Sequence, residues 1–194
     1  MYTADIKTMS TPGSTTLAAA TKPRLTEALW FNALWFQSVW FCTVLGRETL
    51  LPLALTLLGL HLVLVRDTRR ELLQMTAVAA VGISVDTALS SSGVFLFPGG
   101  SLVPLWLCCL WLAFATTLAR SLAWLGRHAL LAGFLGALAL PLNYWAGQRL
   151  GAVQFGYSLP VTLGAMAAVW AVLFPCLFKL TQLIKAPAAI EDRV

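Results

Sequence analysis

Six runs of apolar residues follow one another along this chain, separated by short segments where charge, proline or glycine collects. They cover about residues 25–46, 49–65, a third run that follows the charged stretch ending at Glu71 and finishes near 95, then 104–125, 129–148 and 158–180. A spanning helix takes roughly 20 apolar residues, so the pattern predicts an all-α membrane protein, a bundle of six transmembrane helices over residues 25–184. Residues 1–24 are rich in Ser, Thr and Ala, carry Pro12-Gly13 and Pro23, and show no apolar period; they are expected to form a disordered cytoplasmic tail. Residues 185–194 form a short charged tail on the same side. The first apolar run is longer than a signal core and leads into Arg47-Glu48 without a small-residue cleavage site, so it is expected to stay attached.

Polar residues inside the runs mark candidate sites. In the third, Ala79, Gly82, Asp86, Ser90 and Gly93 recur at three- and four-residue spacings and share one helix face. A small, polar face belongs at a helix contact, which directs Asp86 to the bundle interior and makes it the first functional candidate, with Ser90, Thr87 and Asn143 as expected partners. In the first run Trp30-Phe31, Trp35-Phe36 and Trp40-Phe41 repeat every five residues, a step of about 140° that wraps the rings around the helix toward lipid. Asn32 and Gln37 are expected to bond between helices. The second run has Pro52 in its first turn and His61 near its end. The fifth contains Pro141, which leaves the Ala137 carbonyl without its donor, and Asn143 is placed to relieve it. Arg120, late in the fourth run, is expected to snorkel to the nearby surface, with an inward seam as the alternative.

Charge orients the runs. Lys7, Lys22, Arg24, Arg66, Arg69, Arg70, Arg120, Arg127, Lys179, Lys185 and Arg193 fall on one side, leaving only Arg47 and Arg149 of the 13 basic residues opposite. Basic loops stay in the cytoplasm, so both termini are expected there. That orientation sorts the polar groups into an outer pair, Asp86 and Asn143, and an inner trio, Asn32, His61 and Arg120. Arg66-Asp67-Thr68-Arg69-Arg70-Glu71 reads as a surface loop whose Arg66, Arg69 and Arg70 meet anionic lipid headgroups. With 59% hydrophobic and 11% charged residues, mean hydropathy +0.80 and net charge +5, the expected partners are membrane lipids and not nucleic acid.

Chemical motifs are sparse. Cys42, Cys108, Cys109 and Cys176 all lie within apolar runs and form no two-residue-spaced pair, and His61 and His128 are the only histidines. No metal site, cofactor or catalytic motif is expected. Leu45-Gly46-Arg47 with Leu50-Leu51 recurs as Leu125-Gly126-Arg127 with Leu130-Leu131, an offset that would map the first and second runs onto the fourth and fifth in opposite orientation, as in inverted-repeat transporters.

The series Asn32, Phe36-Gln37, Trp40-Phe41, Leu45-Gly46, Asp86, Pro104-Leu105-Trp106, Trp111, Phe114-Ala115, Thr117-Leu118 and Ser121-Leu122, with Pro141, Tyr144, Gly147 and Leu150-Gly151, resembles a family of small proteobacterial inner-membrane proteins catalogued as a domain of unknown function. The resemblance covers about residues 25–180. It implies a multi-pass protein of the bacterial inner membrane, encoded near cyclopropane-fatty-acid-synthase-like enzymes and so acting around membrane-lipid modification, with such an enzyme as a partner. It implies no catalytic residues. Three functions are therefore expected alternatives: an accessory to acyl-chain modification, a small-solute or proton-coupled transporter using Asp86, and an intramembrane lipid enzyme.

Overall fold

The computed structural model describes residues 28–186, so the N-terminal tail and nearly all of the C-terminal tail lie outside the described residues. Six α-helices account for most of that span: α1 (Leu29–Gly46), α2 (Leu51–Leu64), α3 (Thr68–Ser91), α4 (Leu105–Leu118), α5 (Ala129–Arg149) and α6 (Leu159–Lys185). A 3₁₀ turn, Ala123–Arg127, joins α4 to α5. Helices α3, α5 and α6 are long and apolar enough to cross a membrane; α2 and α4 are apolar but have 14 residues each, about 21 Å. The surface matches a lipid solvent, with large apolar side chains such as Leu130 and Val63 more than three-quarters exposed.

Local chemistry sets where the helices begin. The charged stretch after α2 is not a loop throughout: Asp67 accepts a hydrogen bond from the Arg70 backbone N–H (3.0 Å) and caps α3, which therefore starts at Thr68. Glu71 is thereby drawn into the first turn and onto the face that buries Gln74, Met75, Val78, Ala79, Gly82, Asp86 and Ser90. Pro52 occupies the first turn of α2, where its missing N–H is harmless. Helices α5 and α6 continue through Pro141 and Pro175, and α6 extends to Lys185, the residue at which the tail was expected to begin. Helix α4 stops at Leu118, earlier than expected. Thr116 and Thr117 there turn their hydroxyls back onto the Ala113 and Phe114 carbonyls, which loosens the last turn.

Helix α4 is the centre of the bundle, with nine of its 14 residues buried and both α1 and α3 packed along it. The most extensive pairing is α5 with α6, where Gly133 and Gly136 let the backbones approach: a Cβ at Gly136 would lie 2.7 Å from the Trp170 carbonyl oxygen and from Phe174. Two short strands, β1 (Phe95–Leu96) and β2 (Gln154–Phe155), pair antiparallel and tie the α3–α4 connector to the α5–α6 connector. Strands of two residues are too short to show a period in the sequence, so this pairing is a feature of the fold alone.

The helices alternate in direction. Arg47 at the end of α1 donates from Nη2 to the Leu150 carbonyl just after α5 (3.1 Å), and β1 and β2 follow α3 and α5, so the C-terminal ends of α1, α3 and α5 lie together. At the other end Glu71 gathers His61 from α2, Arg120 just past α4, and Lys185 from α6. The repeated Leu-Gly-Arg segments are built differently: Gly46-Arg47 closes α1 in a tight turn, whereas Gly126-Arg127 belongs to the 3₁₀ turn.

Adding a methyl group at the α5–α6 contact tests its closeness. Gly136→Ala should destabilise the purified protein by about 1–3 kcal/mol, lowering its thermal midpoint in detergent. Gly164→Ala, which meets nothing within 4 Å, should leave the midpoint unchanged or raise it.

Candidate functional site

Two buried carboxylates on the same face of α3 organise the polar interior. Asp86 is fully buried. Its Oδ2 accepts from Trp111 Nε1 of α4 (2.7 Å), and Tyr144 Oη of α5 donates to both oxygens (2.7 and 2.8 Å). Room for the indole comes from Gly82, one turn earlier, where a Cβ would run into the Trp111 ring. Trp111 stacks on Trp170 of α6 (5.5 Å between centroids) and Tyr144 on Phe95 of β1 (4.9 Å, 8° between planes), so both donors are fixed from behind. Asp86 therefore joins α3, α4 and α5 directly.

Its expected partners are not the ones found. Thr87 donates to the Ile83 carbonyl of its own helix (2.7 Å), as helical threonines do. The Ser90 hydroxyl is buried with no hydrogen-bond partner among the described residues. Asn143 points toward α1, its Oδ1 accepting from Trp40 Nε1 (2.7 Å). Trp40 is thus not a purely lipid-facing ring, although Trp30 and Phe41 are exposed as expected. Trp40 and Asn143 line an apolar crevice of about 60 Å³ together with Leu107, Leu110, Trp111 and Phe114 of α4 and Tyr144 of α5. Leu110, Phe114, Trp40 and Asn143 are only half-buried, so the crevice opens between α1 and α5.

The second carboxylate, Glu71, lies 15 residues and about 22 Å along α3 from Asp86. Arg120 grips it bidentately, Nη1 to Oε1 at 2.6 Å and Nη2 to Oε2 at 2.9 Å; His61 Nε2 sits 3.0 Å from Oε1 and Lys185 Nζ donates to Oε2 at 3.2 Å. Glu71 and His61 are almost wholly buried, Arg120 is 11% exposed and Lys185 33%. Arg120 does not snorkel. Helix α4 ends two residues before it, so the following turn swings the guanidinium inward to an acid that the charged sequence pattern places in a loop and the fold places in α3. Beside this group is a polar pocket of about 210 Å³ lined by Val65, Arg66, Asp67, Arg70, Glu71, Arg120 and Lys185.

Of the inner trio, Asn32 lies close to Arg120: its Nδ2 donates to Thr116 (3.1 Å) and its Oδ1 accepts from Ser121 Oγ (2.8 Å). Gln37 is not a helix–helix group. The buried positions of α1 are Asn32, Val39, Thr43 and Val44, and a five-residue step from Asn32 rotates Gln37 onto the exposed side. Arg66 and Arg70 line the polar pocket, while Arg69 is exposed and outside it. Glu71, Lys185, Trp111 and Tyr144 were not singled out as site residues from the sequence. Glu71 had a signal, since stepping the Asp86 face backward by three and four reaches Gly82, Val78, Gln74 and Glu71. Trp111 and Tyr144 carried a weaker one, because a buried indole N–H or phenol O–H needs an acceptor. Lys185 had none.

Among the described residues no three His, Cys, Asp or Glu side chains are grouped to hold a metal ion. Fold and site together define an all-helical protein with three helices suited to a membrane and two buried, fully engaged acids. The chain belongs to the family described as "Protein of unknown function (DUF2878)", which matches residues 29–176. No curated protein and no solved structure matches it.

Both acids can be tested by removal. Glu71→Ala leaves Arg120 buried without its acid and should cost about 3–5 kcal/mol, visible as a large drop in thermal midpoint. Asp86→Leu strands two buried donors, each costing about 1–3 kcal/mol, whereas Asp86→Asn keeps an acceptor and should cost less. Equal midpoints for the Leu and Asn variants would show that the Trp111 and Tyr144 bonds contribute nothing.

Proposed function

We propose that this chain is a six-span protein of the bacterial cytoplasmic membrane, with both termini inside, that receives part of a lipid acyl chain in the crevice between α1 and α5 and acts as an accessory to acyl-chain modification. The observation that carries this is the crevice itself. Pockets that enclose a small molecule run to about 300–1,000 Å³, and a cavity of about 60 Å³ lined by aromatic and aliphatic groups is several times smaller. It suits the end or a bend of an alkyl chain whose remainder lies in the bilayer. Trp40 and Asn143, joined by a hydrogen bond, both line it and would meet a chain that enters. Supporting the orientation, Arg66, Arg69, Arg70, Arg120 and Lys185 lie at or near the Glu71 end, while Arg47 and Arg149 lie at the other.

A second function, proton-coupled transport, is favoured by one feature: a fully buried carboxylate whose hydrogen-bond partners among the described residues include no cation. Lipid profiling of a deletion strain separates the two. Altered acyl composition, restored by the wild-type gene and not by Trp40→Ala, is expected for the accessory role. Unchanged composition together with loss of complementation by a folded Asp86→Asn variant would instead support the carrier. For the topology, alkaline phosphatase fused after Gly100 should be active and a fusion after Ala186 inactive; the reverse pattern overturns the orientation.

A further inference from the structure

We propose that the polar pocket at the Glu71 end is a phosphate-binding site, formed by Arg66, Arg70, Arg120 and Lys185. Three separate parts of the chain supply these cations: the α2–α3 bend with the start of α3, the turn after α4, and the last turn of α6. Among the described residues that line the pocket, four cations outnumber two carboxylates, Asp67 and Glu71. Glu71 holds Arg120 and Lys185 in place without exhausting them. A guanidinium has five N–H donors and an ammonium three, and Glu71 is met by two of the former and one of the latter. Arg70 is paired with Asp67 at 3.3 Å, but both side chains are more than half exposed, so exchanging that partner for a phosphate costs little. Glu71 thus acts as the positioning residue and the cations as the ligand-binding groups.

The sequence suggested a diffuse basic patch of Arg66, Arg69 and Arg70. The fold divides that patch: Arg66 and Arg70 line the pocket, Arg69 does not, and two cations distant in sequence join them. Arg69 therefore serves as a control of equal charge on the same segment. The phosphate can come from an anionic lipid headgroup or from a soluble phosphate ester, and both present the same oxygens to the pocket. This inference does not depend on the acyl-chain role of the crevice, which lies toward the other end of the bundle.

The test uses the full chain in detergent micelles, titrated separately with phosphatidylglycerol, phosphatidylcholine, inorganic phosphate and glycerol 3-phosphate, with binding read by native mass spectrometry and the thermal midpoint. Wild type should prefer phosphatidylglycerol to phosphatidylcholine. Arg66→Gln combined with Arg70→Gln should weaken binding about tenfold or more, equivalent to about 1.4 kcal/mol, and Arg69→Gln less than about twofold. Protection by inorganic phosphate or glycerol 3-phosphate that disappears in the double variant assigns the site to a soluble phosphate; protection by phosphatidylglycerol alone assigns it to a headgroup. Lys185→Gln should behave like the double variant; if it fails to fold, the exposed Arg66 and Arg70 still carry the test. Equal losses in Arg69→Gln and the double variant, or no loss in any variant, overturn the proposal.

Discussion

Buried charge is the constraint on which this bundle depends. An ionised group removed from water costs several kcal/mol unless hydrogen bonds and counter-charges replace its solvent. Helix α3 carries two acids on its inner face, and each is met from other helices: Asp86 by α4 and α5, Glu71 by α2, α6 and the turn after α4. Between them the two carboxylates engage every helix except α1. Helix α1 is attached instead by Asn32 to Thr116 and Ser121, and by Trp40 to Asn143. In a bundle whose outer surface is apolar, burial alone distinguishes one arrangement of helices from another only weakly. These polar contacts are directional, and they specify which faces meet.

The packing serves those contacts. Gly82 makes space for the Trp111 indole, and Gly133 and Gly136 draw α6 against α5 so that Trp170 can back Trp111. The β1–β2 pairing brings Phe95 over Tyr144, covering the Asp86 site from the connector side. A closed aromatic shell of this kind excludes water from the carboxylate and holds its donors within hydrogen-bonding distance. Trp111 and Tyr144 also line the α1–α5 crevice, so whatever enters the crevice lies against the residues that hold Asp86.

The two ends of the molecule differ in chemical character. One is aromatic and apolar around an acid whose partners among the described residues are neutral donors; the other is rich in cations around an acid met by Arg120 and Lys185. A lipid molecule has the same division between chain and headgroup, and the proposals made above for the crevice and the polar pocket start from that likeness.

Sequence alone determined the features that depend on local pattern and composition. The six apolar runs, the inward face of α3 with Asp86 on it, the early proline of α2 and the sorting of basic residues between ends all follow from periodicity, proline geometry and charge, which need no tertiary knowledge. Family membership was also legible, because motif positions along the chain carry it. Partner identity was not. Trp111 lies 25 residues from Asp86 and Tyr144 lies 58, and nothing in their spacing says that the indole and phenol reach the carboxylate ahead of Ser90 and Thr87. Arg120 turned inward because α4 stopped early and because an Asp67 cap placed Glu71 in a helix; neither event shows in hydropathy. The pocket beside Glu71 exists only where the ends of α2, α4 and α6 converge. Local interactions fix where helices form and which face is buried, whereas the pairing of buried polar groups is decided by which helices come within hydrogen-bond range, a distance that only the folded bundle defines.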